Sequence, residues 1–338
     1  PQERIIISSR QPMNDDTSAS TPVLSVITPA FNESGNVRKL FERMTQALDA
    51  TEVPWEWLII DDHSEDDTFE LVRTLSAECP NARGVRLSRN SGTHIASFCG
   101  LKLSRGRCSV IMASDLQDPP ELIPELLEQW QAGAQVVWAA RRSREGESLS
   151  KTRSSQAYYW LMDKFVGIPN SSPLGADFFL LDERVREALN QYGEAHVSIL
   201  ALISKLGFRQ TTILYDKKRR EHGQSSWTLE KKIKLLLDSV IAFTFKPVRF
   251  MSYLGFLTAS SGFAYALYVL YNALTGAPTE VWSSLMVVTL VLGGTQMIML
   301  GILGEYLWRT LDEARKRPRF HIEADFGFSP PNSTPDEP

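Results

Sequence analysis

Two uncharged runs near the end of the chain restrict its fold more than any other feature. No Asp, Glu, Lys or Arg occurs from Met251 to Thr279, and none from Val281 to Gly304. Crossing the hydrocarbon core of a bilayer takes about 20 apolar residues, so each run is long enough. One such run could be the core helix of a soluble protein. Two in succession, separated only by Asn272, Thr275, Pro278 and Glu280, read instead as a transmembrane hairpin. Its orientation follows from flanking charge. Lys231, Lys232, Lys234, Lys246 and Arg249 precede the first run, and Arg309, Arg315, Lys316, Arg317 and Arg319 follow the second. The connection between them carries no Lys or Arg. Both ends of the chain, and the soluble part before the hairpin, are therefore expected on the cytoplasmic side of the membrane.

The remaining composition narrows the class further. Residues 1–21 are polar and read as a disordered lead-in. The formal net charge of −4 supplies no basic field for nucleic acid. Cys79, Cys99 and Cys108 lack metal-type spacing, and the five histidines form no zinc pattern. An odd number of unpaired thiols suits a reducing compartment.

Residues 22–225 alternate short apolar strands with helical spacing. Strands are expected at Val23–Thr28, Trp57–Ile60, Gly84–Leu87, Val110–Ala113, Val136–Ala140, Phe178–Leu181 and Gln210–Tyr215. Helices are expected at Asn36–Leu48, Asp67–Ala77, His94–Leu103, Leu122–Gln131, Ser154–Val166, Asp182–Asn190 and Ser198–Leu206. Strands alternating with helices call for a parallel, doubly wound α/β sheet. From Trp227 a basic amphipathic run, with Leu229, Ile233, Leu236, Leu237, Val240 and Ile241 on one side, reads as a helix lying in the headgroup plane.

Ligands of open α/β sheets sit outside the carboxyl ends of the strands, and here those ends are polar. The first strand leads into Pro29-Ala-Phe-Asn-Glu33, the second into Asp61-Asp-His-Ser64, and the fourth into Asp115-Leu-Gln117 before Pro119-Pro120. A carboxylate and an amide oxygen two residues apart suit Mg²⁺ or Mn²⁺, although alone they are equally a solvated strand-end turn. Asp62 or Ser64 is also a candidate N-cap for the next helix. Several acidic strand ends side by side favour a site that a cation or a hydrogen-bonding ligand satisfies. No G-x-x-x-x-G-K-[ST] loop and no G-x-G-x-x-G turn follows a strand, which argues against a P-loop nucleotidase and a dinucleotide dehydrogenase.

Five motifs together carry a resemblance: Pro29-Ala-Phe-Asn-Glu33, Ile60-Asp-Asp-His-Ser64, Arg89-Asn-Ser-Gly92, Asp115-Leu-Gln-Asp-Pro-Pro120 and Arg220-Glu-His-Gly-Gln-Ser225. From about Leu24 to Arg319 the chain resembles family 2 glycosyltransferases of the GT-A fold. Within that family it is similar to the polyisoprenyl-phosphate glycosyltransferases: dolichyl-phosphate mannose synthases and bacterial enzymes that load undecaprenyl phosphate with glucose. The resemblance implies a Rossmann-like, mostly parallel sheet with helices on both faces, followed by interfacial amphipathic helices and the two-helix hairpin. The expected layout is a lead at 1–21, a catalytic domain at 22–225, juxtamembrane helices at 226–249, two spans at 250–306 and a cytoplasmic tail at 307–338.

The resemblance also implies roles. Pro29, Phe31 and Glu33 would line the nucleoside pocket, and Asp61 would bond the base edge with Asp62 close by. Asp115 and Gln117 would hold Mg²⁺ or Mn²⁺ bridging the donor diphosphate. Arg141 and the Arg220 loop would meet phosphate charge, with Gly223 and Ser225 letting that loop close. Lys246 and Arg249 lie where a lipid phosphate would arrive. Many relatives carry Asp-x-Asp where this chain has Ala113-Ser-Asp115, so the first carboxylate is missing and the choice of metal is open.

The implied reaction is inverting transfer of a sugar, with UDP-glucose the expected donor, onto a polyprenyl phosphate. That acceptor is already anionic, so no general base is expected, and Asp118 and Asp177 are substrate-positioning candidates. Mannosyl or aminoarabinosyl transfer is the nearer alternative. A processive polysaccharide synthase would need a Gln-x-x-Arg-Trp-type motif and more spans. A catalytically silent membrane partner is favoured only by Ala113. Gly293, Gly294, Gly301 and Gly304 would permit close helix packing, within the hairpin or in a homo-oligomer.

Overall fold

A computed structural model describes residues 22–142, 176–192, 199–216, 244, 246–275, 282–315 and 317–327. Eight strands form one sheet in the order β7-β5-β6-β4-β1-β2-β3-β8. Chain order gives β1 (Leu24–Ala30), α1 (Val37–Asp49), β2 (Trp55–Asp61), α2 (Thr68–Glu78), β3 (Ala82–Leu87), α3 (Thr93–Leu103) and β4 (Cys108–Ile111). A 3₁₀ turn (Pro120–Leu122), α4 (Ile123–Gln131) and β5 (Val136–Arg141) follow. Then come β6 (Phe178–Asp182), α5 (Glu183–Gln191), α6 (Ile199–Lys205) and β7 (Gln210–Tyr215). The last elements are α7 (Lys246–Leu274), α8 (Trp282–Ala314) and β8 (Ile322–Phe326).

The apolar strands are central because both their faces are covered. Along β1 and β2, side chains divide with period two. Leu24, Val26, Trp57 and Ile59 pack with Leu40, Met44, Val72 and Leu126 from α1, α2 and α4. Ile27, Leu58 and Ile60 pack on the other face with Ala96, Cys99, Val185 and Ile203 from α3, α5 and α6. Helix α3 approaches β1 so closely that a Cβ at Gly100 would lie 2.2 Å from Ile27 Cγ2.

The expected strands and helices are present, with ends moved by a residue or two. The helices expected at Ser154–Val166 and from Trp227 lie outside the described residues. The sheet is mostly parallel, as expected, with two antiparallel elements. Strands β4, β1, β2 and β3 are parallel, as are β5 and β7, but β6 runs antiparallel to both β4 and β5. The second is β8, which lies within the expected tail at 307–338 and pairs antiparallel with β3. A short charged strand such as Ile322-Glu-Ala-Asp-Phe326 carries little apolar signal, yet it covers the open edge of β3.

Helices α7 and α8 are long and apolar enough to cross a membrane over Val248–Asn272 and Leu285–Ala314, and none of either apolar window is buried by the protein. Phe256, Leu274 and Met297 are among the side chains that would otherwise face water. This rules out the core-helix reading and leaves a surface suited to lipid. Helix α8 continues past the apolar run, where Glu305 and Arg309 pair at 3.0 Å.

Candidate active site

The site is built where β1, β2, β3 and β4 end. Three of the described non-glycine residues with positive φ stand there: Asn32 (56°), His63 (62°) and Leu116 (58°). Left-handed backbone at such residues costs roughly 1–3 kcal/mol each and persists where surrounding structure holds it. The surrounding structure is a set of loops tied to one another. Asn32 N–H donates to Ser64 Oγ at 3.0 Å, and Glu65 N–H returns to Asn32 Oδ1 at 2.9 Å. Glu33 N–H donates to Thr68 Oγ1 at 2.9 Å, and Ser34 N–H to Asp66 Oδ2 at 3.2 Å.

Asp62 does not cap α2, whose N-cap residue is Asp67. Its carboxylate accepts Ser91 N–H at 2.8 Å and Gly92 N–H at 2.7 Å, and so fastens the loop leading into α3. Burial pushes the Asp62 carboxyl above its ordinary value, against the downward pull of those two N–H groups. Ser64 is not a cap either, because its hydroxyl serves Asn32. Asp61 is 0 % exposed. Its Oδ1 accepts Ser64 N–H at 3.1 Å and its Oδ2 meets Arg86 Nη1 at 3.2 Å. Both of its carboxylate oxygens are thus engaged beneath the loop surface. Phe31, by contrast, is 41 % exposed beside that loop.

On β4 the chain turns sharply after Ile111. Leu116 is buried in the core, and Asp115, only 9 % exposed, accepts Gln117 N–H at 3.1 Å. Ser114 Oγ–H donates to Pro29 O at 3.1 Å and ties this turn to the end of β1. Among the described residues, no three His, Cys, Asp or Glu side chains converge as a metal cage. A single carboxylate with a neighbouring amide does fit a hard cation that keeps most of its positions for phosphate oxygens and water.

Asp118 is fully buried and accepts the Tyr215 hydroxyl, which joins the β4 turn to β7. Burial and the Asp118 charge both push the Tyr215 hydroxyl pKa upward, while Arg141 at the end of β5 pulls it down. Tyr215→Phe is expected to cost about 1–3 kcal/mol by leaving a buried carboxylate with one donor fewer. Urea midpoints of variant and wild type measure this, and loss of activity at temperatures where the variant stays folded would show that the β4 turn has also moved.

A small cavity of about 40 Å³ adjoins Ala113, with Pro29, His94, Asp177 and Phe179 among its lining residues. Burial holds the His94 pKa below its usual value, against the attraction of Asp177. The fold thus gathers Pro29, Phe31, Glu33, Asp61, Asp62, Asp115, Gln117 and Asp177 at the ends of adjacent strands. Arg141 is exposed at the end of β5, on the Tyr215 side. Lys246 and Arg249 stand in the first turn of α7, on the hairpin rather than on the sheet. Arg220, Gly223 and Ser225 lie outside the described residues. Arg86, His94 and Tyr215 have no place in the motifs, although Arg86, next to the last residue of β3, is a charge at a strand end that was there to find.

Residues 25–204, more than half of the chain, match the family described as glycosyl transferase family 2. An uncharacterized glycosyltransferase of Bacillus subtilis, YkcC, is 34% identical over 90% of this chain and 94% of its own. The SfII prophage-derived bactoprenol glucosyl transferase of Shigella flexneri is 30% identical over 91% and 99%. Among solved structures, glucosyl-3-phosphoglycerate synthase of Mycobacterium tuberculosis, in complex with Mn²⁺, uridine diphosphate and phosphoglyceric acid, gives a TM-score of 0.48 at 16% identity, covering 65% of this chain and 76% of its own. The extent of the family match, together with relatives that run almost end to end, makes this chain a member of glycosyl transferase family 2.

Proposed function

We propose that the protein transfers glucose from UDP-glucose to a polyprenyl phosphate, undecaprenyl phosphate in a bacterium, at the cytoplasmic face of the membrane. The observation that carries this reading is the pairing of Asp115 and Gln117, at the carboxyl edge of the sheet, with two long apolar helices whose surface the protein leaves uncovered. A bactoprenol glucosyl transferase from Shigella flexneri that aligns over 99% of its own length supports the glucosyl group and the polyprenyl acceptor. The positive charge flanking the hairpin supports a cytoplasmic site and cytoplasmic termini.

In this reading Phe31 and the loop around Ser64 receive the nucleoside, with Pro29 and Glu33 beside them and Asp61 and Asp62 holding the loops in shape. Asp115 and Gln117 would hold Mg²⁺ or Mn²⁺, which when bound supplies positive charge opposite the leaving diphosphate. Arg141 and Arg220 add charge that does not depend on a metal, in the fork geometry that phosphate accepts. Lys246 and Arg249, at the start of the first span, draw in the acceptor headgroup. The acceptor oxygen is anionic at pH 7, so it attacks the anomeric carbon without a general base and inverts its configuration. Asp118 supports this assignment, since its carboxylate is buried under Tyr215. Asp177, exposed at the cavity beside Ala113, positions the substrate.

The test is transfer of radiolabelled sugar to undecaprenyl phosphate in detergent, comparing UDP-glucose, UDP-galactose and GDP-mannose with Mg²⁺, Mn²⁺ or EDTA. A labelled lipid formed from UDP-glucose alone and abolished by EDTA is expected. Product from GDP-mannose instead would overturn the glucosyl assignment. No product from any donor, with the protein folded, would overturn transfer itself.

A further inference from the structure

The strand that follows the second membrane helix reaches the nucleotide end of the sheet through one side chain. Glu323 Oε2 lies 3.2 Å from Arg86 Nε and 3.2 Å from His63 Nδ1. The same His63 nitrogen is 3.1 Å from Leu87 O. Facing two acceptors, Nδ1 must carry the proton. Arg86 turns its other nitrogens toward the loop after β2: Nη1 meets Asp61 Oδ2 at 3.2 Å, and Nη2 donates to Ser64 O at 3.2 Å. Its guanidinium also covers the Phe69 ring at 4.5 Å, and Phe69 packs against Phe326 of β8 at 5.5 Å. One cation thus bridges β8 and the Asp61–Ser64 loop, and Ser64 in turn holds Asn32 of the neighbouring loop.

We infer that Glu323 is a positioning residue for the nucleotide-sugar site, acting through Arg86 on the Asp61–Ser64 loop. The inference rests on the reading above, in which that loop receives the nucleoside. Global stability is a weaker explanation of the contact. Glu323 is half exposed, and exposed ion pairs contribute little to folding. Strand β8 is held to β3 independently by its own ladder from Gly84–Phe326 to Leu87–Ile322. What Glu323 adds is orientation: it occupies Nε and leaves the two Nη groups directed at Asp61 and Ser64. A loop already in its binding shape needs no ordering when the donor arrives, so losing this contact weakens donor binding before it affects chemistry.

Glu323→Gln in the full chain, purified in detergent, tests this. The donor KM should rise about three- to tenfold with kcat within about twofold, because the change removes one charge-assisted contact from a partly exposed pair. Uridine diphosphate affinity by calorimetry should weaken in parallel, the lipid KM should stay constant, and Tm should move by less than about 2 °C. Glu323→Asp should recover part of the affinity. Arg86→Gln should weaken the donor more, and the double variant should be no worse than Arg86→Gln alone. Wild-type uridine diphosphate affinity in Glu323→Gln would overturn the inference, as would a loss of kcat and donor affinity in parallel with a fall in Tm. A wild-type protein that binds no uridine diphosphate would overturn the functional reading and this inference with it. A wild type that binds, with an unchanged variant, would overturn this inference alone.

Discussion

Asp115→Ala is expected to lower kcat for sugar transfer by roughly 10²- to 10³-fold, the usual loss when one group opposing charge on a leaving oxygen is removed. The effect should fall at the upper end because Ala113, two residues earlier, offers no second carboxylate to substitute for it. Asp115 also accepts the Gln117 N–H at 3.1 Å, and an alanine would loosen the turn as well as remove charge. Asp115→Asn separates the two effects. Its amide oxygen still accepts that N–H, so a loss close to that of alanine assigns the effect to charge. Single-turnover transfer of labelled glucose at saturating donor measures the chemical step. A variant that keeps more than about a tenth of wild-type kcat would remove Asp115 from the catalytic machinery.

The largest stability loss is expected at the opposite edge of the sheet. Glu56 Oε1 accepts Ser25 Oγ–H at 2.6 Å and Arg105 N–H at 2.8 Å, and Oε2 meets Arg83 Nη1 at 2.6 Å. The side chains of Arg83 and Glu56 are 5% and 7% exposed. Burial already lowers the Arg83 pKa, and Glu56 is the partner that holds it up. Glu56→Ala strands a buried guanidinium and should cost about 3–5 kcal/mol. Urea unfolding in detergent, followed by tryptophan fluorescence, would report it. Activity of the protein that remains folded should be unchanged, because Glu56 lies near the start of β2 and the site near its end. A loss below about 1 kcal/mol would show that the pair is solvated in solution.

The central strands were legible in the sequence because both faces are buried: Val-Ile-Thr and Leu-Ile-Ile runs need no partner to be recognised. The site was legible to the extent that polar residues interrupted those runs at their ends. Less visible was what each polar group does there. Asp61 and Asp62 are adjacent in sequence, yet one turns inward to Arg86 and the other fastens the loop before α3, a division set by loop geometry. Asp118 reads in the sequence as a substrate-positioning candidate beside Pro119-Pro120, and the fold buries it under Tyr215, which is far along the chain. The antiparallel direction of β6 was hidden for a related reason. A buried strand reads the same in either direction, and the long connection before it carries no signal of its path. Strand β8 was missed because its alternation is too short and too charged to outweigh its position after two apolar helices.

That last strand sets an order of events during synthesis. Every residue that lines the proposed nucleotide site leaves the ribosome before α7, but the strand that completes the sheet leaves after α8. Until then the edge of β3 presents unpaired N–H and C=O groups. Completion of the domain therefore waits for both apolar helices to emerge, and a chain interrupted within or just after α8 would leave an open sheet edge. Completion of the sheet and emergence of the two apolar helices are in this way tied together, and the same five residues finish both.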